Sequence, residues 1–270
     1  MHITITPSKN GGGNMKRMKK LWIVTGIIVG ILSLIIFINF IPTYRLKTVG
    51  MMKLEGKWVD VYYEKEEEAA VDVFSLADSK AEELASILGF TEKQDIKIFI
   101  YDTQSTMQTK KYGFIGPMLG LDWYVGDNRG TDVLLTSPAN PGKVHSYENN
   151  KYVSLHEMVH AYISVINPNI PLWLTEGMAL FLSNGEPFNN EYWNYGLVPT
   201  YEDINTKNPI KFSNMGGYSL AHTYIEYLNV TYGWEKVIEL IKTENYQEIF
   251  GKSSQVVYGE WLEYIKNYKQ

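Results

Sequence analysis

Two histidines four residues apart, with a glutamate directly after the first, form the string His156-Glu157-Met158-Val159-His160. On an α-helix, residues i and i+4 lie one above the other on the same face, so the two imidazoles can reach one metal ion. Glu157 falls about 100° round that helix from His156, near the pair without joining it, which suits a base acting on water at the ion. A catalytic zinc takes three protein ligands and keeps one position open, and two histidines with one carboxylate are an established set. The third ligand must come from another element. Glu176 is the natural source, sixteen positions after His160 in the run Trp173-Leu174-Thr175-Glu176-Gly177. The expected cofactor is therefore Zn2+, which lowers the pKa of its bound water to about 7 and polarises a scissile carbonyl. Glu157 would take the proton and later pass it to the leaving amine, as general base turned general acid.

The string His156-Glu157-Met158-Val159-His160-Ala161-Tyr162, followed by Pro171-Leu172-Trp173-Leu174-Thr175-Glu176-Gly177-Met178-Ala179, resembles the gluzincin branch of zinc metallopeptidases, and most of all peptidase MA-like domains. The likeness extends over most of residues 58–265, and the two motifs are its sharp parts. It implies a thermolysin-like zincin fold, zinc held by His156, His160 and Glu176, Glu157 as base, and a peptide or protein substrate. Two departures stand out. The gap between His160 and Glu176 is shorter than in thermolysin, so the connection must be tight, as Pro168 and Pro171 allow. Thermolysin-type enzymes also carry an acid one turn past the ligand glutamate to orient a ligand histidine, and here that position is Leu180. Tyr218, after Gly216-Gly217, resembles the tyrosine that related aminopeptidases aim at the oxyanion, and His222 one turn on is the alternative donor. His145 reads as polar surface. Tyr192, Trp193, Tyr195 and Tyr201 read as lid or core packing in preference to a cleft for cell-wall sugars.

The elements that must position these residues follow from periodicity. Residues 58–63 and 95–101 alternate as strands and 131–137 is strand-like, while 71–88 has helical apolar spacing that stops at Gly89. Residues 42–56 read as a juxtamembrane linker and 64–68, EKEEE, as a solvated loop or helix start in preference to a metal site. Residues 112–128 read as loop with one short strand. The strand at 131–137 stands shortly before the histidine helix, where zinc peptidases often offer an edge strand to an extended substrate. The metal-site helix is expected over 148–166, ended by Asn167-Pro168, with a second helix from Pro171 to about Leu182. Residues 200–211 read as polar loop, and helices are expected at 218–232, 234–242, 246–250 and 256–268. Strands and one helix first, helices last, make the class α+β: an N-terminal mixed sheet with helices, the HExxH helix at the junction, and a C-terminal helical part.

Composition places limits on this chemistry. The 270-residue chain has 45% apolar and 20% charged residues, a net charge of −5 and no cysteine. That excludes thiolate ligands, a cysteine nucleophile, disulfides and a lipidated cysteine, and gives no basic face for nucleic acid. Residues 21–41 carry no charge over 21 positions, about the ~20 needed to cross a bilayer as a helix. The run ends without a small-residue cleavage site, so an uncleaved anchor is expected, not a signal peptide. Lys16, Arg17, Lys19 and Lys20 precede it and Arg45, Lys47 and Lys53 follow, which places residues 1–20 in the cytoplasm and the domain at 57–270 outside the cell membrane. Residues 9–15, Lys-Asn-Gly-Gly-Gly-Asn-Met, can be encoded by a purine-rich bacterial ribosome-binding tract ahead of an ATG. Met15 is therefore the expected start, with residues 1–14 untranslated. The expected protein is a membrane-anchored zinc metallopeptidase; its competitors are a zinc amidase acting on cell-wall peptide links and a zincin-fold binding module with little activity.

Overall fold

A computed structural model describes residues 11–183 and 198–267. Its first helix, α1 (Gly11–Phe40), runs into a 3-10 turn at Ile41–Tyr44 with Pro42 in its first turn. The stretch Arg17–Tyr44 is 28 residues, has a window of mean hydropathy 2.8 with none of it buried, and is long and apolar enough to cross a membrane.

The remaining described residues are α+β. Strands β1 (Met52–Glu55), β2 (Val59–Tyr63), β3 (Ile96–Tyr101), β4 (Gly126–Arg129) and β5 (Asp132–Thr136) form a mixed five-stranded sheet in the order β1-β2-β3-β5-β4. The three central strands are parallel, and both edges, β1 and β4, run antiparallel to their neighbours. Helix α2 (Glu67–Ile87) makes the β2-to-β3 crossover, as parallel pairing requires. Between β3 and β4 lie α3 (Gln104–Tyr112) and a 3-10 turn at Gly116–Leu119.

The alternation in β3 sorts its side chains onto two faces. Ile96, Ile98 and Ile100 join Val59, Val61, Val133 and Leu135 in the main core under α2 and the site helix α4 (Tyr147–Ile166). Phe99 and Tyr101 point the other way, to a smaller cluster with Leu46, Met51, Met107 and Leu134. Leu46 and Met51 belong to the stretch expected to be linker. Their burial, the Tyr101 hydroxyl donating to the Leu46 carbonyl at 2.9 Å, and the pairing of Met52–Glu55 with β2 make part of residues 42–56 a piece of the domain.

A second correction concerns the sheet edge. The strand at Asp132–Thr136 is not the edge: it pairs with β3 on one side and with β4 on the other, so β4 is the edge strand on that side of the sheet. Gly130, at φ +57°, turns β4 back into β5 through two residues, a conformation in which glycine carries no Cβ penalty.

Past α4, the chain is helical: α5 (Leu172–Leu182), α6 (Pro209–Asn214), α7 (Gly217–Tyr232), α8 (Trp234–Thr243), α9 (Tyr246–Phe250) and α10 (Ser254–Lys266). Residues 200–211 thus hold the start of α6, capped by the Asn208 side chain, as well as a 3-10 turn at Asp203–Asn205. Buried Trp173 meets Phe212, Tyr224 and Trp261 edge-on, which ties α5 to α6, α7 and α10. Tyr201 stacks obliquely on Tyr258 and bonds Ser254, so it packs into this helical part; Tyr192, Trp193 and Tyr195 lie outside the described residues.

Candidate metal centre

Helix α4 begins with a capping box: the Ser146 hydroxyl accepts from the Asn149 amide and the Asn149 side chain returns to the Ser146 amide. It then runs unbroken through His156, Glu157 and His160 and stops at Asn167, before Pro168. The Asn167 side chain accepts from the Asn169 amide at 3.0 Å, a local turn that reverses the chain within five residues. Helix α5 then starts after Pro171 and carries Thr175 and Glu176 back against α4.

His156, His160 and Glu176 meet there. Their Nε2 atoms are 3.0 Å apart, and Glu176 Oε2 lies 3.3 Å from His156 Nε2 and 3.5 Å from His160 Nε2. Among the described residues this is the group of three His, Asp or Glu side chains whose ligand atoms converge, all within 4.8 Å of one another. Donors at the corners of a tetrahedron with bonds of 2.0–2.2 Å stand about 3.3–3.6 Å apart, so a zinc-sized ion fits the three with small adjustments. All three are largely enclosed, with side chains 18%, 11% and 12% exposed. Glu176 Oε2 is buried and accepts no well-formed hydrogen bond, which normally costs about 1–3 kcal/mol for a buried polar atom. His156, His160 and Glu176 are thus the described residues that could hold a metal ion between them.

The histidine support differs from what thermolysin-type enzymes use. Leu180 is core, 6% exposed. The orienting contact comes instead from Thr175, whose hydroxyl lies 2.9 Å from His160 Nδ1. With Nδ1–H donating to that hydroxyl, Nε2 keeps its lone pair free toward His156 and Glu176, the tautomer a metal ligand needs. Burial would raise the Glu176 carboxyl, but the two imidazoles, His160 foremost, outweigh it when they are protonated and hold it well below the usual carboxylate range.

Glu157 lies against the edge strand at Gly126, close enough to feel the charges of His156 and Glu176. Burial pushes its carboxyl up to about 8, with the charges of Asp127 and Glu176 adding and His156 pulling the other way. A Cβ on Gly126 would stand 2.5 Å from Val153 Cγ1 and 3.0 Å from Glu157 Oε1, so glycine is what lets β4 lie directly on the site helix. Next in the strand, the Asp127 carboxylate is 2.7 Å from Lys111 Nζ, and that ammonium also donates to the Asn128 carbonyl at 3.1 Å. Burial raises Asp127 despite Lys111.

Thr175, Gly126, Asp127 and Lys111 were not among the residues the sequence marked. Tyr218 and His222 lie on α7, which packs on α5 at Gly177, where a Cβ would sit 2.7 Å from the Ala221 carbonyl oxygen. The Tyr218 ring meets Phe212 edge-on at 4.9 Å. His222 is half-buried, its Nδ1 has no hydrogen-bond partner among the described residues, and burial lowers its pKa against the pull of Glu226 one turn on. His145 bonds the Trp123 carbonyl at 2.8 Å, at the surface.

The sequence matches no protein-family model and no curated protein. The reading of the site therefore stands on these residues and distances.

Proposed function

We propose that this chain is a membrane-anchored, zinc-dependent metallopeptidase of gluzincin type that hydrolyses peptide bonds outside the cytoplasmic membrane. The observation that carries the proposal is the convergence of His156 Nε2, His160 Nε2 and Glu176 Oε2 within 3.0–3.5 Å of one another, close to tetrahedral spacing, with the buried Glu157 coupled to them. A zinc ion held by those three residues supplies water activation and carbonyl polarisation. Glu157, raised by burial, would be shifted back toward the carboxylate form a base requires by a cation held at those three residues.

The chain's own residues then divide the work. Glu157 takes a proton from the attacking water and delivers it to the leaving amine. Thr175 holds the His160 ring in the ligating tautomer. Tyr218 and His222 on α7 are the proposed donors toward the oxyanion. The outer side of β4, seated on α4 by Gly126, is the proposed place for an extended peptide to add as a further strand, where it would displace Lys111 from the Asn128 carbonyl and Asp127 from the Asn128 amide. That edge favours a peptide over other amides. The cations ahead of residues 21–41 favour a cytoplasmic N-terminus.

Metal analysis of the full chain purified in detergent tests the proposal. One zinc per chain is expected, removable by chelation and lost in Glu176→Gln. A preparation that takes up no stoichiometric metal even when zinc is supplied contradicts it.

A further inference from the structure

The end of α1 is bonded into the domain at a site that the peptidase reading does not use. Asn39, in the last turn of α1, donates from Nδ2 to the Tyr112 carbonyl at 3.2 Å. Its own backbone carbonyl accepts from the Phe114 amide at 3.1 Å, and its Oδ1 accepts from the Ile115 amide at 2.9 Å. Gly113 makes this approach possible. Its φ is +82°, and a Cβ there would lie 2.2 Å from the Asn39 carbonyl oxygen, a clash no side chain survives.

These bonds fix a depth. Asn39 is two residues short of the end of the apolar run 21–41, about 3 Å along a helix rising 1.5 Å per residue. Phe114 and Ile115 are bonded to it and so sit at nearly that level. The residues that follow are apolar and uncovered: Phe114 is 58% exposed, Ile115 50%, Met118 83% and Leu119 47%. A cluster of this kind facing water would be a liability, and beside the mouth of a membrane helix it has an obvious solvent.

The loop is also bonded onto the domain. Gly116 is buried, with room for no Cβ against the Gln108 backbone at 2.4 Å, while Gln108 Nε2 holds the Leu121 carbonyl at 2.8 Å. Gln104 Nε2 bonds the carbonyls of Asp122 and Tyr124 at 2.9 and 3.0 Å. Arg129 donates to the Thr43 and Lys110 carbonyls, and Lys110 Nζ to the Arg45 carbonyl, so the chain leaving α1 is clasped as well. Beside it a cleft is lined by Arg45, Lys47, Lys97 and Arg129, with Asp132 the acid among its lining residues and Asp95 paired to Lys97 at 2.5 Å, so that the cations still outnumber the acids. That balance suits anionic phospholipid headgroups.

We propose that residues 114–119 are a second membrane contact, inserted at the headgroup boundary beside α1, which holds the domain in a fixed pose on an anionic bilayer instead of leaving it on a swinging tether. The proposal rests on α1 being the anchor, and the experiment separates the two. The chain has no cysteine, so Leu32→Cys, Met118→Cys and Val230→Cys each place one environment-sensitive fluorophore on the full chain. Leu32 reports on α1, Met118 on the loop, and Val230, 68% exposed on α7, on the C-terminal helical part. In nanodiscs of anionic phospholipid with brominated acyl chains, the labels at 32 and 118 are expected to be blue-shifted and quenched, and the label at 230 neither. Quenching at 32 with a water-exposed label at 118 overturns the loop contact and leaves the anchor standing. A blue-shifted but unquenched label at 118 means a protein surface covers the loop, which overturns it too. No quenching at 32 removes the anchor and the loop contact together.

Discussion

Replacing Thr175 by valine keeps the shape of the side chain and deletes one hydroxyl, the group 2.9 Å from His160 Nδ1. A neutral hydrogen bond is worth about 0.5–1.5 kcal/mol in stability, and leaving the partly buried Nδ1–H unpaired adds to the loss. At a metal site the larger consequence is that the ring loses both its tautomer preference and its orientation. Such outer contacts typically contribute 10–100-fold in metal affinity, about 1.4–2.7 kcal/mol. Thr175→Val is therefore expected to raise the zinc Kd by one to two orders of magnitude, read by competition with a chromogenic chelator on the full chain in detergent. Thr175→Ser, which restores the hydroxyl, is expected to recover most of that. The melting temperature of the zinc-free protein should fall by only a few degrees, about what one lost hydrogen bond costs, since valine fills the same space. Unchanged zinc affinity in Thr175→Val, or a serine variant as weak as the valine one, would refute the role given to this hydroxyl.

Three further outcomes follow from the packing around the site and the sheet. Gly126→Ala forces a methyl to within 2.5 Å of Val153 and 3.0 Å of the Glu157 carboxyl; an overpacking cost of about 1–3 kcal/mol is expected, with peptide hydrolysis falling by more than thermal stability accounts for. Gly177→Val, pressed on the Ala221 carbonyl and Ile225, should lower stability and zinc affinity together, because α7 then pushes α5 and Glu176 off α4. Asp78 accepts from the amides of Trp58, Val59 and Lys57 at 2.7, 3.1 and 3.2 Å, and Asp78→Ala is expected to cost about 2–3 kcal/mol in thermal or denaturant unfolding. Burial opposes ionisation of Asp78, but these bonds win and lower its pKa. Its contribution is thus complete above about pH 4 and fades as the pH falls through the folded value, so the gap between wild type and Asp78→Ala should close in acid.

What the sequence disclosed was whatever depends on local period and punctuation. The i, i+4 histidines, the stop at Asn167-Pro168 and the restart at Pro171 are all local, and they bring His160 and Glu176 together because the connection is short. Most strand and helix positions followed from alternation and helical spacing in the same way. Thr175 was hidden because its contact is made across space once α5 folds back; in the chain it is only a threonine beside a glutamate. Asp127 and Gly126 sit in Gly-Asp-Asn-Arg, a strand with no β-former, held by pairing with β5 and by the tight turn at Gly130. The helix Gln104–Tyr112 is polar apart from Met107 and its tyrosine, and its limits come from the Thr103 cap and Gly113, not from an apolar stripe. The strand at Met52–Glu55 was obscured by its position after an anchor, where cations and exposed residues suggest a tether.

The most direct measurement is the rate at which Glu157→Gln hydrolyses a fluorescence-quenched peptide library, at zinc occupancy matched to wild type. General base catalysis contributes about 10²–10⁴-fold, so a loss of at least that lower size with zinc retained is expected. A variant that carries its zinc and cleaves at the wild-type rate would contradict the assignment of Glu157 and, with it, the proposed function.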